Sequence, residues 1–187
     1  ARRSPRTARV QFFIGTAQAK PWVAASRHMS ALDAALYTDS TLALDPRTGR
    51  MVWYYQHVAG ETLDMDTVFE RVLVDLHGQS YVFAIGKDGI LWKLDRATGK
   101  FVDFVETIYQ NMFLPLDKTT GKLQYRQDII DAKIGDPLSV CPSIYGGHNW
   151  QATAYNPPSH TLIIPLHQLC VDMVGREVKF VEGYGGY

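Results

Sequence analysis

The stretch of residues 72–104 constrains the fold of this chain more than any other. It contains four short apolar runs, separated by three turns rich in Gly, Asp and Ser. The runs cover residues 72–76, 81–85, 90–94 and 101–104. Runs of about five residues, rich in β-branched and aromatic side chains, are typical of antiparallel strands joined by hairpins. The stretch therefore predicts one four-stranded antiparallel sheet.

The second run, residues 81–85, is apolar at every position, so both of its faces must be covered. A strand of this kind needs a sheet or a helix on either side of its own sheet. No long helical pattern lies nearby, so other sheets must do the covering. Because sheets stacked radially are the blades of a propeller, the pattern predicts an all-β propeller fold.

Composition limits the partners that this chain can have. With 187 residues and 46% hydrophobic content, the chain can bury a sizeable core as one domain, or at most two. Lys plus Arg equals Asp plus Glu at 19 each, so no global field favours nucleic acid or an acidic membrane. No run approaches the roughly 18 apolar residues of a membrane-spanning helix. The first nine residues are basic and are expected to form a tail.

A repeated turn points to an array of similar units. Three copies carry the pattern Asp-x-x-Thr-Gly-(Lys/Arg), in residues 43–53, 93–102 and 115–123, and residues 154–162 form a degenerate fourth copy. In each clear copy the Asp closes a strand and can bond the turn backbone, while the Gly supplies the positive φ of a tight turn. Repetition at intervals of a few tens of residues predicts repeated hairpin units.

These turns, with Trp53 behind the first, resemble the tryptophan-docking repeats of the quinoprotein alcohol dehydrogenases, which are eight-bladed β-propellers that carry pyrroloquinoline quinone (PQQ). The resemblance extends from about residue 13 to residue 172, and further matching segments follow in family order: 14–22, 36–38, 53–57, 86–89, 94–96 and 141–150. It implies a basic tail in residues 1–12, followed in residues 13–187 by a partial propeller. At roughly 40 to 50 residues per blade, the chain holds about three to four blades.

Asp64 and Asp66 are the candidate centre of the chemistry. Two carboxylates two residues apart on an extended segment project to the same face, and a hard cation prefers such oxygen ligands. The alternative is a solvated loop that carries two acids. By resemblance, Asp64 is the catalytic base and a metal ligand, and Asp66 is the additional carboxylate of the lanthanide-using branch. The implied metal is a lanthanide ion or Ca²⁺.

The resemblance assigns roles to four further side chains. Gln18 lies where the family usually has a metal-ligating asparagine, and its amide oxygen is the expected ligand. Lys87 matches the basic residue that bonds the quinone oxygens, where a cation stabilises developing negative charge. Asn149 matches an amide at the quinone edge, and Trp150 is assigned to the cofactor with it.

Cys141 and Cys170 match a pair that the family tends to bridge. A bridge would stabilise the fold by about 3–4 kcal/mol on the chain-entropy account, and would imply an oxidising compartment, the periplasm. A zinc site that adds His148, His160 and His167 is an alternative, although no pair has the close Cys-x-x-Cys spacing of structural zinc motifs. Two reduced, buried cysteines are another. The remaining histidines are expected to be structural or exposed: His28, His57 and His77.

The resemblance implies oxidation of a primary alcohol to an aldehyde. A metal-polarised quinone would accept hydride while Asp64 removes the hydroxyl proton, and a cytochrome c would then accept the electrons. The family's glutamate ligand, its vicinal cysteine pair and its stacking tryptophan have no matching positions in this sequence. The remaining blades are therefore expected from a longer chain or from other subunits. The alternative function is a non-catalytic propeller that binds or scaffolds partners.

Overall fold

The computed structural model describes residues 10–179 and 181–183, and these residues are almost entirely strands and turns. Of the predicted basic tail, residues 1–12, the first nine lie outside the described part. The first strand begins at Phe12. No helix in the described part is long and apolar enough to cross a bilayer.

The first sheet has three antiparallel strands in the order β1, β2, β3. They are β1 (Phe12–Gly15), β2 (Ser40–Leu44) and β3 (Met51–Gln56). The first Asp-x-x-Thr-Gly turn joins β2 to β3, as the repeat predicts. The segment between β1 and β2 contains a short 3₁₀ turn at Ala25–Arg27.

The second sheet is the predicted four-stranded meander, with each strand paired to the next in the chain. Its strands are β4 (Val72–Leu76), β5 (Gln79–Ala84), β6 (Ile90–Asp95) and β7 (Phe101–Glu106). Four boundaries differ from the prediction by one or two residues: both ends of β5 and the last residues of β6 and β7. In particular, β5 starts at Gln79. His77 and Gly78 both have positive φ, 50° and 76°, so two residues suffice for the hairpin and the next two join the strand.

Shorter elements follow the second sheet. They are α1 (Gln127–Asp131), β8 (Pro137–Val140), β9 (Ala154–Asn156), β10 (Thr161–Ile163) and β11 (Val171–Val174). Strand β8 pairs with β11, and β9 pairs with β10, both antiparallel. A 3₁₀ turn, Pro157–Ser159, joins β9 to β10 where the degenerate fourth repeat was predicted.

The three clear repeats form the same turn. In each, the N–H of the Gly donates to the carbonyl of the Asp, at 2.8, 2.8 and 2.7 Å for the turns that start at Asp45, Asp95 and Asp117. Each Asp carboxylate also accepts an N–H from the residue two positions later. Left-handed φ values of 68°, 71° and 69° explain the glycine in all three. The repeated turn is confirmed at all three positions, but only the first two copies join strands, because the third lies between Phe113 and Tyr125, which form an isolated bridge.

Aromatic side chains tie successive units together through these turns. Trp53 in β3 packs on the second turn and donates its indole N–H to the carbonyl of Arg96 at 3.3 Å. Tyr55 reaches the third turn, where its hydroxyl donates to the carbonyl of Gly121 at 3.3 Å. Both rings come from β3, so one strand of the first sheet contacts the turns of the two later repeats.

The core lies between the first two sheets and the segment that follows them. Strand β5 buries Val82 and Ala84 on one face, whereas Tyr81 and Phe83 on the other face are half-buried. The expectation that both faces are fully covered is therefore wrong for this strand. Its second face is shielded in part by the ammonium of Lys93, 4.0 Å from the Tyr81 ring centre.

Both outer sheet faces expose apolar side chains. In the first sheet, Phe12 is 57% exposed and Tyr54 is 42% exposed. In the second sheet, Val105 is 55% exposed, on the same face as the half-buried Tyr81 and Phe83. Isolated exposed apolar residues are ordinary, but several on one sheet face are what a further packed sheet would cover.

Candidate active site

The acidic loop, residues 61–67, leads from the first sheet towards the second. Along it, Leu63, Met65 and Thr67 are buried, each about 1% exposed, while the alternate residues Asp64 and Asp66 are partly exposed. Asp64 itself has φ 63°, so the segment is not extended throughout, as the spacing argument assumed. The two carboxylates nevertheless face the same side, because both contact Lys87.

Lys87 meets both carboxylates. Its Nζ lies 3.0 Å from Oδ2 of Asp64 and 2.8 Å from Oδ2 of Asp66, and the three side chains are only 10–16% exposed. Burial raises the pKa of Asp64, with Asp66 adding to the rise and Lys87 opposing it. Burial alone would lower the pKa of Lys87, but its bonds to the two carboxylates outweigh burial and raise it. The three groups form one compact charged cluster.

Gln18 completes the cluster from the segment after β1. Its backbone N–H donates to Oδ1 of Asp66 at 3.1 Å, and its side-chain amide donates to Oδ1 of Asp64. To serve as a cation ligand, the amide would turn so that its oxygen replaces its nitrogen. The structure thus brings together Gln18, Asp64, Asp66 and Lys87 from three separate parts of the chain.

A tight turn presents Lys87 to the acidic loop. The N–H of Lys87 donates to the carbonyl of Asp66 at 2.9 Å. A Cβ on Gly86 would stand 2.7 Å from that same carbonyl oxygen, so only glycine permits the approach. Asp88 shapes the turn from inside, because its carboxylate accepts the N–H of Ile90 at 3.1 Å and the indole N–H of Trp92 at 3.2 Å.

The loop that carries Asn149 and Trp150 adjoins the Lys87 turn. The N–H of Gly147 donates to the carbonyl of Lys87 at 2.7 Å. The Asn149 amide is half-buried and donates to the carbonyl of Tyr145 at 2.9 Å. Trp150 is 75% exposed, and its ring meets Phe69 edge-on with 5.2 Å between centres. Its broad exposed face is available to a flat ligand.

Cys141 and Cys170 form a disulfide, which holds the start of this loop segment to the residue before β11. The predicted bridge is thus present in the structure, and it excludes both the reduced cysteines and a zinc site built on their thiols. No group of three or more His, Cys, Asp and Glu side chains in the described ranges is arranged to hold a metal ion by itself. His57 is structural, as expected, with Nε2 2.7 Å from the Thr41 hydroxyl.

The residues present fit part of a hard-cation site. Two carboxylates and an amide oxygen are the ligand types that calcium and lanthanide ions prefer, but such ions take more than three ligands. In this structure, the ammonium group of Lys87 balances the negative charge of Asp64 and Asp66. The chain can therefore contribute one wall of a metal site, and the remaining ligands must come from elsewhere.

Sequence reasoning missed three charged residues around this cluster, two of them buried. The buried pair, Glu61 and Asp39, bond the backbone of the acidic loop. Arg71 is partly buried and donates to the Thr41 hydroxyl at 2.6 Å and to the carbonyls of Phe69 and Thr67, each at 2.6 Å. Burial lowers its pKa to about 10. The position of Glu61, three residues before Asp64, could have suggested a side chain that accepts N–H groups of the following loop. No local sequence pattern marks Asp39 or Arg71.

Residues 12–108, more than half of the chain, match the family described as "PQQ: Glucose/ethanol/alcohol dehydrogenase, beta-propeller domain". The chain belongs to this family. The predicted all-β, quinoprotein propeller fold is thereby confirmed. Membership of the family also accounts for the repeated turns, which recur from one sheet to the next.

Similar proteins include a hydroxylase and several alcohol dehydrogenases. Lupanine 17-hydroxylase [cytochrome c] of a Pseudomonas species is 32% identical over 170 residues, covering 88% of this chain and 24% of the relative. The dehydrogenase subunit of the quinone alcohol dehydrogenase of Gluconobacter oxydans is 29% identical over 172 residues, covering 90% of this chain and 23% of the relative. The chain thus spans about a quarter of the length of the curated relatives it matches.

Solved structures of the same kind superimpose on the chain. The quinohemoprotein alcohol dehydrogenase of Comamonas testosteroni matches with a TM-score of 0.78 and 28% identity, over 87% of this chain and 24% of that protein. A europium-containing methanol dehydrogenase matches with a TM-score of 0.82 and 23% identity, over 96% of this chain and 31% of that protein. The second likeness shows the shared fold alone.

Proposed function

We propose that this chain is the catalytic portion of a PQQ-dependent alcohol dehydrogenase that oxidises a primary alcohol to an aldehyde. The observation that carries the proposal is the meeting of Lys87 with Asp64 and Asp66 at 3.0 and 2.8 Å. The family match, and relatives that are alcohol dehydrogenases, support the same class of reaction.

Asp64 is proposed as the general base. Because burial raises its pKa, it accepts a proton more readily than an exposed aspartate does. Its left-handed backbone, with φ 63°, turns its carboxylate towards Lys87 and Gln18. In this position Asp64 would take the hydroxyl proton of the alcohol.

Asp64, Asp66 and Gln18 would hold a lanthanide ion or Ca²⁺. PQQ, beside Lys87, Asn149 and Trp150, would supply the hydride acceptor when bound. With a cation beside the two carboxylates, Lys87 would no longer be their only counter-charge and could donate to the cofactor. A positive group held in a partly dry site stabilises negative charge that develops during the reaction.

A complete propeller is proposed as the active form. The chain spans about a quarter of its relatives, and apolar side chains cover both outer sheet faces. Further blades, from a longer chain or from other subunits, would cover these faces and supply the missing metal ligands. A cytochrome c is the proposed electron acceptor, supported by a relative named for that partner.

The periplasm is the proposed location. The disulfide between Cys141 and Cys170 supports it, because such bridges persist in oxidising compartments and are rare in the cytosol. Non-reducing mass spectrometry of protein from periplasmic and cytosolic fractions tests the proposal. Two free thiols in the periplasmic material would contradict it.

The test of the enzyme is reconstitution of the ring-complete protein with PQQ and either CaCl₂ or LaCl₃, followed by dye-linked oxidation of primary alcohols. Loss of a general base lowers the turnover number by about 10²–10⁴-fold, so Asp64→Asn should fall in that range. Asp33→Asn, on the exposed segment before β2, is the matched control and should keep full activity. Absence of activity with both ions would remove the proposal.

The proposed lanthanide preference rests on Asp66, because a trivalent ion gains more from an additional carboxylate than a divalent ion does. Asp66→Ala should therefore reduce lanthanum-supported turnover more than calcium-supported turnover. Equal losses with the two ions would show that Asp66 does not select the metal.

A non-catalytic scaffold is the second candidate function, favoured by one observation. Lys87 neutralises Asp64 and Asp66 without any added ion, so the cluster can stabilise the fold by itself. A scaffold would bind neither PQQ nor metal, and calorimetric titration of the ring-complete protein separates the two candidates.

A further inference from the structure

The acidic loop is held by two buried carboxylates, that of Glu61 at its own first position and that of Asp39 just before β2. Oε1 of Glu61 accepts the N–H of Leu63 and the N–H of Met65, the latter at 3.0 Å. Oδ1 of Asp39 accepts the N–H of Thr67 at 3.3 Å. The bonded N–H groups at positions 63, 65 and 67 therefore flank both Asp64 and Asp66 in the chain.

These two carboxylates are costly to the fold. Asp39 is 0% exposed and Glu61 is 1% exposed. Within the described part of the chain, Oδ2 of Asp39 and Oε2 of Glu61 have no hydrogen-bond partner. Each such buried, unpaired oxygen costs about 1–3 kcal/mol. Apolar side chains at these positions would remove that cost, but they would also leave buried N–H groups of the acidic loop without an acceptor.

The hydrogen bonds of Glu61 and Asp39 to the acidic loop explain why carboxylates occupy these positions. Asp64 has φ 63°, in the left-handed region, which is unfavourable for a residue other than glycine by about 1–2 kcal/mol. The bonds from Glu61 to the residues on either side of Asp64 keep this conformation. With it, Oδ2 of Asp64 lies 3.0 Å from Nζ of Lys87. Without it, the carboxylate would leave the face that it shares with Asp66.

We propose that Glu61 and Asp39 are positioning residues, which set the acidic loop so that Asp64 and Asp66 bind one cation together. Their hydrogen bonds are to the loop backbone, so they act through the two aspartates. The inference rests on the proposed function of that pair. The proposed site then includes Glu61 and Asp39, which hold the backbone of the loop, in addition to Asp64 and Asp66, which face the ligand.

Conservative and truncating variants separate positioning from charge. Glu61→Gln and Asp39→Asn keep a side-chain oxygen that can accept the same N–H groups, while Glu61→Ala and Asp39→Ala remove it. Leu94→Ala is the control for lost stability, because Leu94 is fully buried in the cluster between the first two sheets and not in the cluster that contains Leu63 and Met65. Each variant is made in the ring-complete protein.

The first measurement is the affinity for La³⁺ with PQQ present, by isothermal titration calorimetry. Loss of a residue that orients metal ligands weakens metal binding by about 10–100-fold, so Glu61→Ala should fall in that range. Glu61→Gln should stay within about threefold of wild type, and Leu94→Ala should bind as wild type does. Equal losses in Glu61→Gln and Glu61→Ala would overturn the inference, because charge would then be the cause.

The second measurement is hydrogen exchange of the peptide that contains residues 62–68, without metal or cofactor. Exchange should be faster in Glu61→Ala and Asp39→Ala than in their Gln and Asn counterparts. Unchanged exchange in both alanine variants would overturn the inference even if the enzyme is active. Asp64→Ala distinguishes the two proposals: if it keeps full La³⁺ affinity, the proposed metal site fails, whereas full affinity in Glu61→Ala alone defeats only the positioning role.

Discussion

The indole ring of Trp53, in the first sheet, lies directly on Gly99, in the second. A Cβ on Gly99 would stand 2.4 Å from Cε3 of that ring. The glycine thus serves two purposes, since the turn needs its positive φ and the ring needs its missing side chain.

Gly99→Ala should destabilise the protein more than Gly49→Ala. Both residues close the same kind of turn, with φ 71° and 68°, but a Cβ on Gly49 would meet no atom within 4 Å. Gly49→Ala should cost about 1 kcal/mol through backbone strain. Gly99→Ala should add about 1–3 kcal/mol through overpacking against Trp53. Urea unfolding measures both losses of stability. Equal losses would show that the Trp53 ring moves aside for the new Cβ without a cost in free energy.

Lys87→Met should destabilise the fold and make its stability more dependent on pH. The variant leaves two partly buried carboxylates facing each other, and breaking a buried ion pair costs about 3 kcal/mol or more. Because protonation relieves that repulsion, the loss should be greater at pH 8 than at pH 4.5. Lys100→Met, at an exposed turn position, is the control and should change little. A loss independent of pH would contradict this explanation.

Asp88→Asn should remove a pH-dependent part of the stability. Burial raises the pKa of Asp88 from 3.8 to about 6, so the folded protein holds this proton more tightly than the unfolded chain. The resulting stabilisation is fully present below pH 4 and is lost as the pH rises through 6. One pKa unit corresponds to about 1.4 kcal/mol, so the change across this window is about 3 kcal/mol.

The measurement for Asp88 is the free energy of unfolding at several pH values between 4 and 7. Wild type should lose stability with rising pH more steeply than Asp88→Asn does. Asp103→Asn, at an exposed position of β7, should follow wild type. Parallel curves for wild type and Asp88→Asn would mean that Asp88 keeps an ordinary pKa.

Loss of the disulfide should lower the stability of the fold. Cys141 and Cys170 are separated by 29 positions, and closing a loop of that length stabilises by about 3–4 kcal/mol on the chain-entropy account. The double variant Cys141→Ser, Cys170→Ser should therefore unfold at a correspondingly lower urea concentration than the oxidised protein. If reduced and oxidised wild-type protein unfold at the same urea concentration, the disulfide contributes nothing to the stability of the fold.

The strands and turns were predictable because their causes are local. The four-stranded meander follows from apolar runs between turns, and the turns at Asp45, Asp95 and Asp117 follow from Asp and Gly at a constant spacing. The coverage of β5 was not predictable, because an apolar run does not show which neighbour packs on each face. In the structure, one face is only partly shielded.

Part of the candidate site was also predictable from the sequence, and part was not. The spacing of Asp64 and Asp66 predicted their shared face, but in the structure Asp64 has a left-handed φ of 63° rather than an extended backbone. The meeting of that pair with Lys87 was indicated only by the resemblance to a family. The support from Asp39 was not indicated at all, since Asp39 lies before β2 and reaches the acidic loop only when the first sheet is folded.

The amino-acid sequence by itself determined the elements of this protein: where strands run and where turns close. These depend on side-chain period and on the φ that glycine allows, which neighbours in the chain settle. The tertiary structure alone decided which groups are buried together, and hence that Lys87 lies between two aspartates and that Glu61 and Asp39 bond their loop. Burial and ion pairing depend on distances between segments far apart in the chain, and only packing sets those distances.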